Sequence, residues 1–175
     1  MRTSSRNRKH GQPRLRSVVV GAALALGLVA IAQTPPRTLI EPKAGSPLRK
    51  ALLDAVREHY RKDLNGKPVV FSVTHMRVQG NDAFLTAVPQ QPNGKAFDYR
   101  GTKFQSAIDA GVFDNWVATL LRYDAKTKKW RVRQSVLGAT DVAWVGWWNE
   151  FKVPVQIFPV KPGLDMDGDG KPDLN

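Results

Sequence analysis

Two pairs of β-rich runs, each divided by a short turn-forming segment, commit this chain to antiparallel pairing. Val69–Val78 and Ala83–Val88 flank Gln79-Gly80-Asn81-Asp82, and Trp116–Asp124 and Trp130–Leu137 flank Ala125-Lys126-Thr127-Lys128-Lys129. Connections of four or five residues close hairpins, whereas parallel neighbours need a crossover of a dozen or more. In the last run Trp130, Val132 and Val136 alternate with Arg131, Arg133 and Ser135, which predicts a sheet with one wet face.

A helix precedes the sheet. Ser46 is placed to cap it and Pro47 to occupy its first turn, where a missing N–H costs nothing. Leu48, Ala51, Leu52, Ala55, Val56, His59 and Tyr60 then recur at the spacing of one buried face, and Asn65-Gly66 supplies the stop. Between the hairpins Pro89–Gly101 reads as a long polar loop. A short helix follows, with Thr102 as cap, Phe104, Ala107 and Ile108 inward, and Gly111 at its end. After the sheet, Thr140 or Asp141 caps a third helix expected to reach Lys152. Trp144, Trp147, Trp148 and Phe151 lie on one stripe of it. The stripe reads first as the surface that covers the sheet, with sugar stacking as the alternative. Neighbouring Trp147 and Trp148 diverge by about 100°, so one of them is expected to be exposed.

Together these elements give an α+β fold: an N-terminal helix packed on a curved antiparallel sheet of about four strands, with a late aromatic helix. The element order suits a cystatin-like or nuclear-transport-factor-like roll. The stretches Met76–Phe84 and Leu137–Trp144 also resemble a family of small exported bacterial proteins of unknown function. That resemblance spans roughly residues 48–159, and it implies a domain outside the cytoplasm without implying an activity.

The N-terminus points the same way. Residues 1–16 hold Arg2, Arg6, Arg8, Lys9, Arg14 and Arg16 with no acidic residue, and residues 17–32 read SVVVGAALALGLVAIA, ending in Ala30-Ile31-Ala32. A basic start, an apolar run and a small-residue exit make a secretory signal over residues 1–32, with cleavage expected near Gln33. Sixteen apolar residues in a helix reach about 24 Å, short of the ~30 Å hydrocarbon core, so a retained membrane anchor is the second choice. Residues 33–45 then form a proline-rich linker, residues 46–160 the α+β domain, and residues 161–175 an acidic tail.

Charge and composition narrow the function. The net charge of +12 comes from 27 basic and 15 acidic residues, six of the basic ones within the signal segment. Outside the cytoplasm, nucleic acid is not the expected partner of the remaining excess. Arg49, Lys50, Arg57, Arg61 and Lys62 on the first helix, and Lys126, Lys128, Lys129, Arg131 and Arg133 on the second hairpin, suggest either a solvated face or attraction to an anionic envelope polymer or lipid head groups. The chain has no cysteine, which removes disulfides, thiolate metal sites and cysteine nucleophiles.

One segment has chemically specific spacing. From Asp165 the sequence reads Asp165-Met166-Asp167-Gly168-Asp169-Gly170-Lys171-Pro172-Asp173-Leu174-Asn175. Carboxylates at the first, third, fifth and ninth places, with glycine at the sixth, match a calcium loop. Ca²⁺ takes six to eight hard oxygens, and alternate residues of a tight turn can aim carboxylates at one centre. Asp165, Asp167, Asp169, Asp173 and the carbonyl of Lys171 are the expected ligands. The bidentate glutamate of the twelfth place is missing, because the sequence stops at the eleventh, and no flanking helix is expected. The loop therefore resembles the helix-free calcium loops of dockerins and thrombospondin-type repeats, with weak binding at about 10⁻⁴–10⁻³ M. The alternative is a solvated acidic tail.

Of the histidines beyond the signal, His59 reads as a boundary residue of the first helix. His75 lies mid-strand, where a pocket could pair it with Asp98 or Asp114 for acid–base work. The sequence has no Gly-x-Ser-x-Gly elbow, no His-Glu-x-x-His and no phosphate-binding glycine loop. A non-enzymatic binding or assembly domain with a terminal calcium loop is the favoured expectation, and a pocket protein using His75 is the alternative.

Overall fold

A computed structural model describes residue 1, residues 35–171 and residue 173. The signal segment expected at residues 1–32, and with it the choice between cleavage and anchor, lies outside the described residues. Among the described residues no helix is long and apolar enough to cross a membrane.

The fold is α+β: an N-terminal helix packs on a four-stranded antiparallel sheet, and a late helix sits in an aromatic cluster. Helix α1 (Pro47–Tyr60) starts as the sequence indicates, with the Arg49 N–H donating to Ser46 Oγ at 3.3 Å. Leu52, Val56 and Tyr60 form its buried stripe, while Ala51 and His59 are exposed. Past the helix, Asn65 and Gly66 take left-handed conformations that turn the chain into β1. Strands β1 (Val70–Gln79), β2 (Asp82–Gln90), β3 (Val117–Asp124) and β4 (Lys129–Leu137) pair in sequence order as a meander. Ahead of α1, Ile40 exchanges two backbone hydrogen bonds with Val78, at 3.0 and 2.9 Å. This bridge covers part of the open edge of β1, where unpaired backbone groups would otherwise face solvent.

Both faces of the sheet are covered, against the expectation of a wet face. Met76, Val78, Leu85, Val117, Leu121 and Trp130 pack toward α1. Phe84, Ala118 and Leu120 point the other way, into Trp144, Trp147, Trp148, Ile157 and Phe158. The simple alternation read in β4 fails because the register shifts between Leu120 and Leu121, which oppose Gln134 and Val132. Arg133 is the extra residue, and beyond it the parity reverses. Trp130 and Val132 therefore share one cluster while Val136 packs in the other.

The segment after β2 is less polar in space than in sequence. Its Phe97 and Tyr99 are buried and join Phe104 and Phe113 in the cluster under α1. Helix α2 (Gln105–Asp109) follows; Thr102 Oγ1 accepts from the Phe104 N–H at 3.3 Å and donates to the Tyr99 carbonyl at 2.7 Å. Across the core, the Tyr60 hydroxyl meets Ser135 Oγ at 2.6 Å, and Ser135 Oγ meets Thr119 Oγ1 at 2.8 Å. Beneath the buried stripe of α1 the core is thus filled by aromatic rings and a satisfied hydroxyl chain, while an open cleft of about 700 Å³ separates the flank of α1 that carries Ala51, Ala55 and His59 from Trp130 and Val132 of β4.

The late helix is shorter than expected. Residues 140–146 form turns, and α3 covers only Trp147–Phe151. Gly146 takes φ 82°, a left-handed value that interrupts the helical path on which Trp144 was placed. The aromatic residues still gather, as cover for the sheet. Trp147 and Trp148 are both buried, correcting the expectation that one is exposed. Trp147 is edge-on to Phe84, and Trp148 to Phe158. A 3₁₀ turn at Val155–Ile157 completes the layer.

Candidate metal site

The acidic tail closes into a loop beside α3. Gly168 and Gly170 take φ of 75° and 85°, the left-handed values that let consecutive turns reverse the chain. Their N–H groups donate to the two oxygens of Asp165, at 2.7 and 2.8 Å. Asp169 N–H donates to Asp167 Oδ1 at 3.2 Å, and Met166 N–H to Asp173 Oδ2 at 2.6 Å. The Asp173 N–H closes the loop on the Leu164 carbonyl at 2.8 Å.

This folding brings Asp165, Asp167 and Asp173 together, each offering a carboxylate oxygen within 4.8 Å of the others. Two oxygens on opposite sides of one Ca²⁺ stand about 5 Å apart, given Ca–O distances of ~2.3–2.6 Å. The cluster can therefore hold a metal ion. Asp169 lies outside this trio; it is exposed, and its Oδ1 accepts from the Lys171 N–H at 2.9 Å. Lys171 is exposed as well, and that N–H is the contact the structure assigns to it. Desolvation raises the pKa of Asp167, and the carboxylates of Asp173, Asp169 and Asp165 push it the same way against the pull of the Asp169 N–H. A bound cation would relieve that mutual repulsion.

Two contacts hold the loop to the domain, and neither was foreseen from spacing. Asn149 Nδ2 on α3 donates to Asp167 Oδ2 at 2.6 Å, and Met166 packs against the aromatic cluster. Met166 fell between two motif positions, and its apolar character in an acidic run was the available signal. Asn149 carried none, since its place depends on where α3 begins.

His75 does not gain the partners considered for it. Asp98 is engaged by Arg100 through both carboxylate oxygens and by Lys67 at 3.5 Å, while Asp114 is exposed. His75 Nε2 sits 2.7 Å from the Ile157 carbonyl, to which it donates. Burial lowers its pKa; the bond to Ile157 and the charge of Glu41 raise it, and Arg77 lowers it. Glu41 is itself engaged by Arg77 at 2.8 Å. These contacts tie β1 to the outer layer. His59 behaves as a boundary residue, exposed but edge-on to Tyr60 at 4.7 Å.

Fold and site together define an α+β domain carrying a C-terminal acidic cluster able to hold a metal ion. Comparison with protein-family models, curated proteins and solved structures finds no match to this chain.

Proposed function

We propose that this protein is an exported, non-enzymatic α+β domain that acts by binding or assembly in the cell envelope and carries a weak calcium site in its C-terminal loop. The observation that carries the calcium reading is the convergence of Asp165, Asp167 and Asp173 in a loop with the first, third and ninth spacing. An all-oxygen donor set without histidine or thiolate suits a hard cation. The loop is exposed and built on turns, which favours the adaptable coordination of Ca²⁺ over the strict octahedron of Mg²⁺. Asn149 and Met166 supply the link through which an ion fixed in the loop would also fix the tail on the outer layer. The packed core beneath the buried stripe of α1, with its cleft open to solvent between α1 and β4, supports a domain that works through its surface. Export is supported by the basic and apolar pattern of residues 1–32.

Calorimetric titration with Ca²⁺ and with Mg²⁺ tests the site. The parent should bind Ca²⁺ at about 10⁻⁴–10⁻³ M and Mg²⁺ more weakly. An Asp165→Ala, Asp167→Ala double variant should give no binding heat. Identical titrations for parent and variant would remove the calcium site from the account.

A further inference from the structure

We propose that the outer side of the β3–β4 hairpin is a binding site for a phosphate-type oxyanion, formed by Arg122, Arg131, Arg133 and Lys126. These four side chains line one open cleft of about 560 Å³, together with Tyr123 and Asp124. The register places Arg122 directly opposite Arg131. Like charges directly opposite one another weaken a sheet, so this pairing lacks a structural benefit of its own. The β4 bulge inserts Arg133 beside them, and bulges commonly re-aim side chains next to functional sites.

The acidic groups nearby leave most of the guanidinium donors unused. Arg122 reaches Asp82 through one nitrogen at 3.4 Å. Arg131 reaches Asp124 through Nε at 3.2 Å, and neither pair is a two-pronged fork. Asp124 already accepts from the N–H groups of Lys126 and Thr127 and from the Thr127 hydroxyl, so its oxygens mainly staple the turn. Arg133 is held in place by the Phe151 carbonyl at 2.9 Å and by the Phe151 ring, 4.9 Å below its guanidinium. Lys126 makes no ion pair among the described residues.

Three planar forks and an ammonium around one cleft match a tetrahedral dianion, which offers acceptor oxygens in several directions. A carboxylate offers only two coplanar oxygens and would leave forks idle. The phosphate group can belong to a lipid headgroup or to a soluble phosphate compound. Neither source depends on the calcium loop, so failure of one reading leaves the other standing.

The test is calorimetric titration of the protein with pyrophosphate near physiological salt, beside co-sedimentation with vesicles of phosphatidylcholine alone and of phosphatidylcholine with phosphatidic acid, whose phosphomonoester presents three free oxygens. Lys126→Gln with Arg131→Gln should weaken pyrophosphate binding about tenfold or more, the scale of a lost charge-assisted contact. Lys43→Gln with Lys95→Gln removes the same charge at exposed positions elsewhere and should change binding less than about twofold, as screening at that salt requires. Arg122→Lys keeps a cation beside Asp82 but removes the fork, and should also weaken binding; melting curves confirm that each variant is folded. Retention on the phosphatidic acid vesicles, competed by pyrophosphate and lost in the hairpin variant, assigns a lipid headgroup. Pyrophosphate binding without vesicle retention assigns a soluble compound. No binding of either by the parent, or equal losses in the hairpin and control variants, overturns the proposal.

Discussion

Replacing Phe84 by alanine would open the centre of the outer aromatic layer. The ring is fully buried, 4.4 Å from Phe158, 5.5 Å from Trp144, 6.0 Å from His75 and 6.3 Å from Trp147, centre to centre. The loss combines burial of a large side chain, ring–ring contacts and the cavity left behind, and comparable changes cost about 3–5 kcal/mol. That is a large part of the ~5–15 kcal/mol that stabilises a typical domain. At roughly 3–4 °C per kcal/mol for a domain of this size, the melting midpoint should fall by about 9–20 °C. Circular dichroism reads the midpoint, and tryptophan emission reads the layer, because Trp144 and Trp147 flank the same ring. Phe84→Leu retains much of the volume and should lose far less. A fall within about 0.5 kcal/mol, as for a surface substitution, would refute the claim that residues 144–160 seal this face.

Other substitutions probe single elements. Gly138 has φ 90°, and a Cβ there would overlap the Phe113 ring; Gly138→Ala should therefore cost about 2 kcal/mol or more in chemical denaturation. Ser46→Ala should cost about 1 kcal/mol by removing the cap of α1, again by denaturation midpoint. His75 has its pKa lowered in the folded state by burial, so the unfolded chain takes up the proton first on acidification. Its stabilising contribution is full above the ordinary value of 6.5 and is lost as pH falls through the folded pKa. The melting midpoint should thus drop more steeply below pH 6.5 in the parent than in His75→Gln, with some slope remaining because partial desolvation at the boundary of α1 depresses His59 in the same direction.

Much of the fold was legible because local chemistry fixed it. Ser46-Pro47, the α1 stripe and Asn65-Gly66 agree with one another, and the short turns define both hairpins to within one or two residues of their observed ends. The misreadings arose where distant contacts decide. Arg133 reverses the parity of β4 through a bulge that no alternation pattern reveals. Phe97 and Tyr99 sit among polar neighbours in sequence, yet they fill the core beneath α1. Gly146 shortens the late helix, while the tryptophans stay buried because Phe84 and Phe158 provide a surface for them. The acidic loop was visible in its spacing because ligand geometry is itself periodic. Its attachment through Asn149 depends on tertiary placement, as does the Arg122–Arg131 pairing.

The central claim, that the acidic loop binds Ca²⁺ while held against the outer layer, is tested most directly by amide NMR during Ca²⁺ titration. The Gly168 and Gly170 N–H groups bond to Asp165, and the Asn149 side-chain amide bonds to Asp167, so each reports on a candidate ligand. The expected result is saturable shifts at Gly168, Gly170 and the Asn149 side chain, with α1 signals unmoved. Shifts absent from those groups, or spread evenly over all exposed carboxylates without saturation, would contradict it.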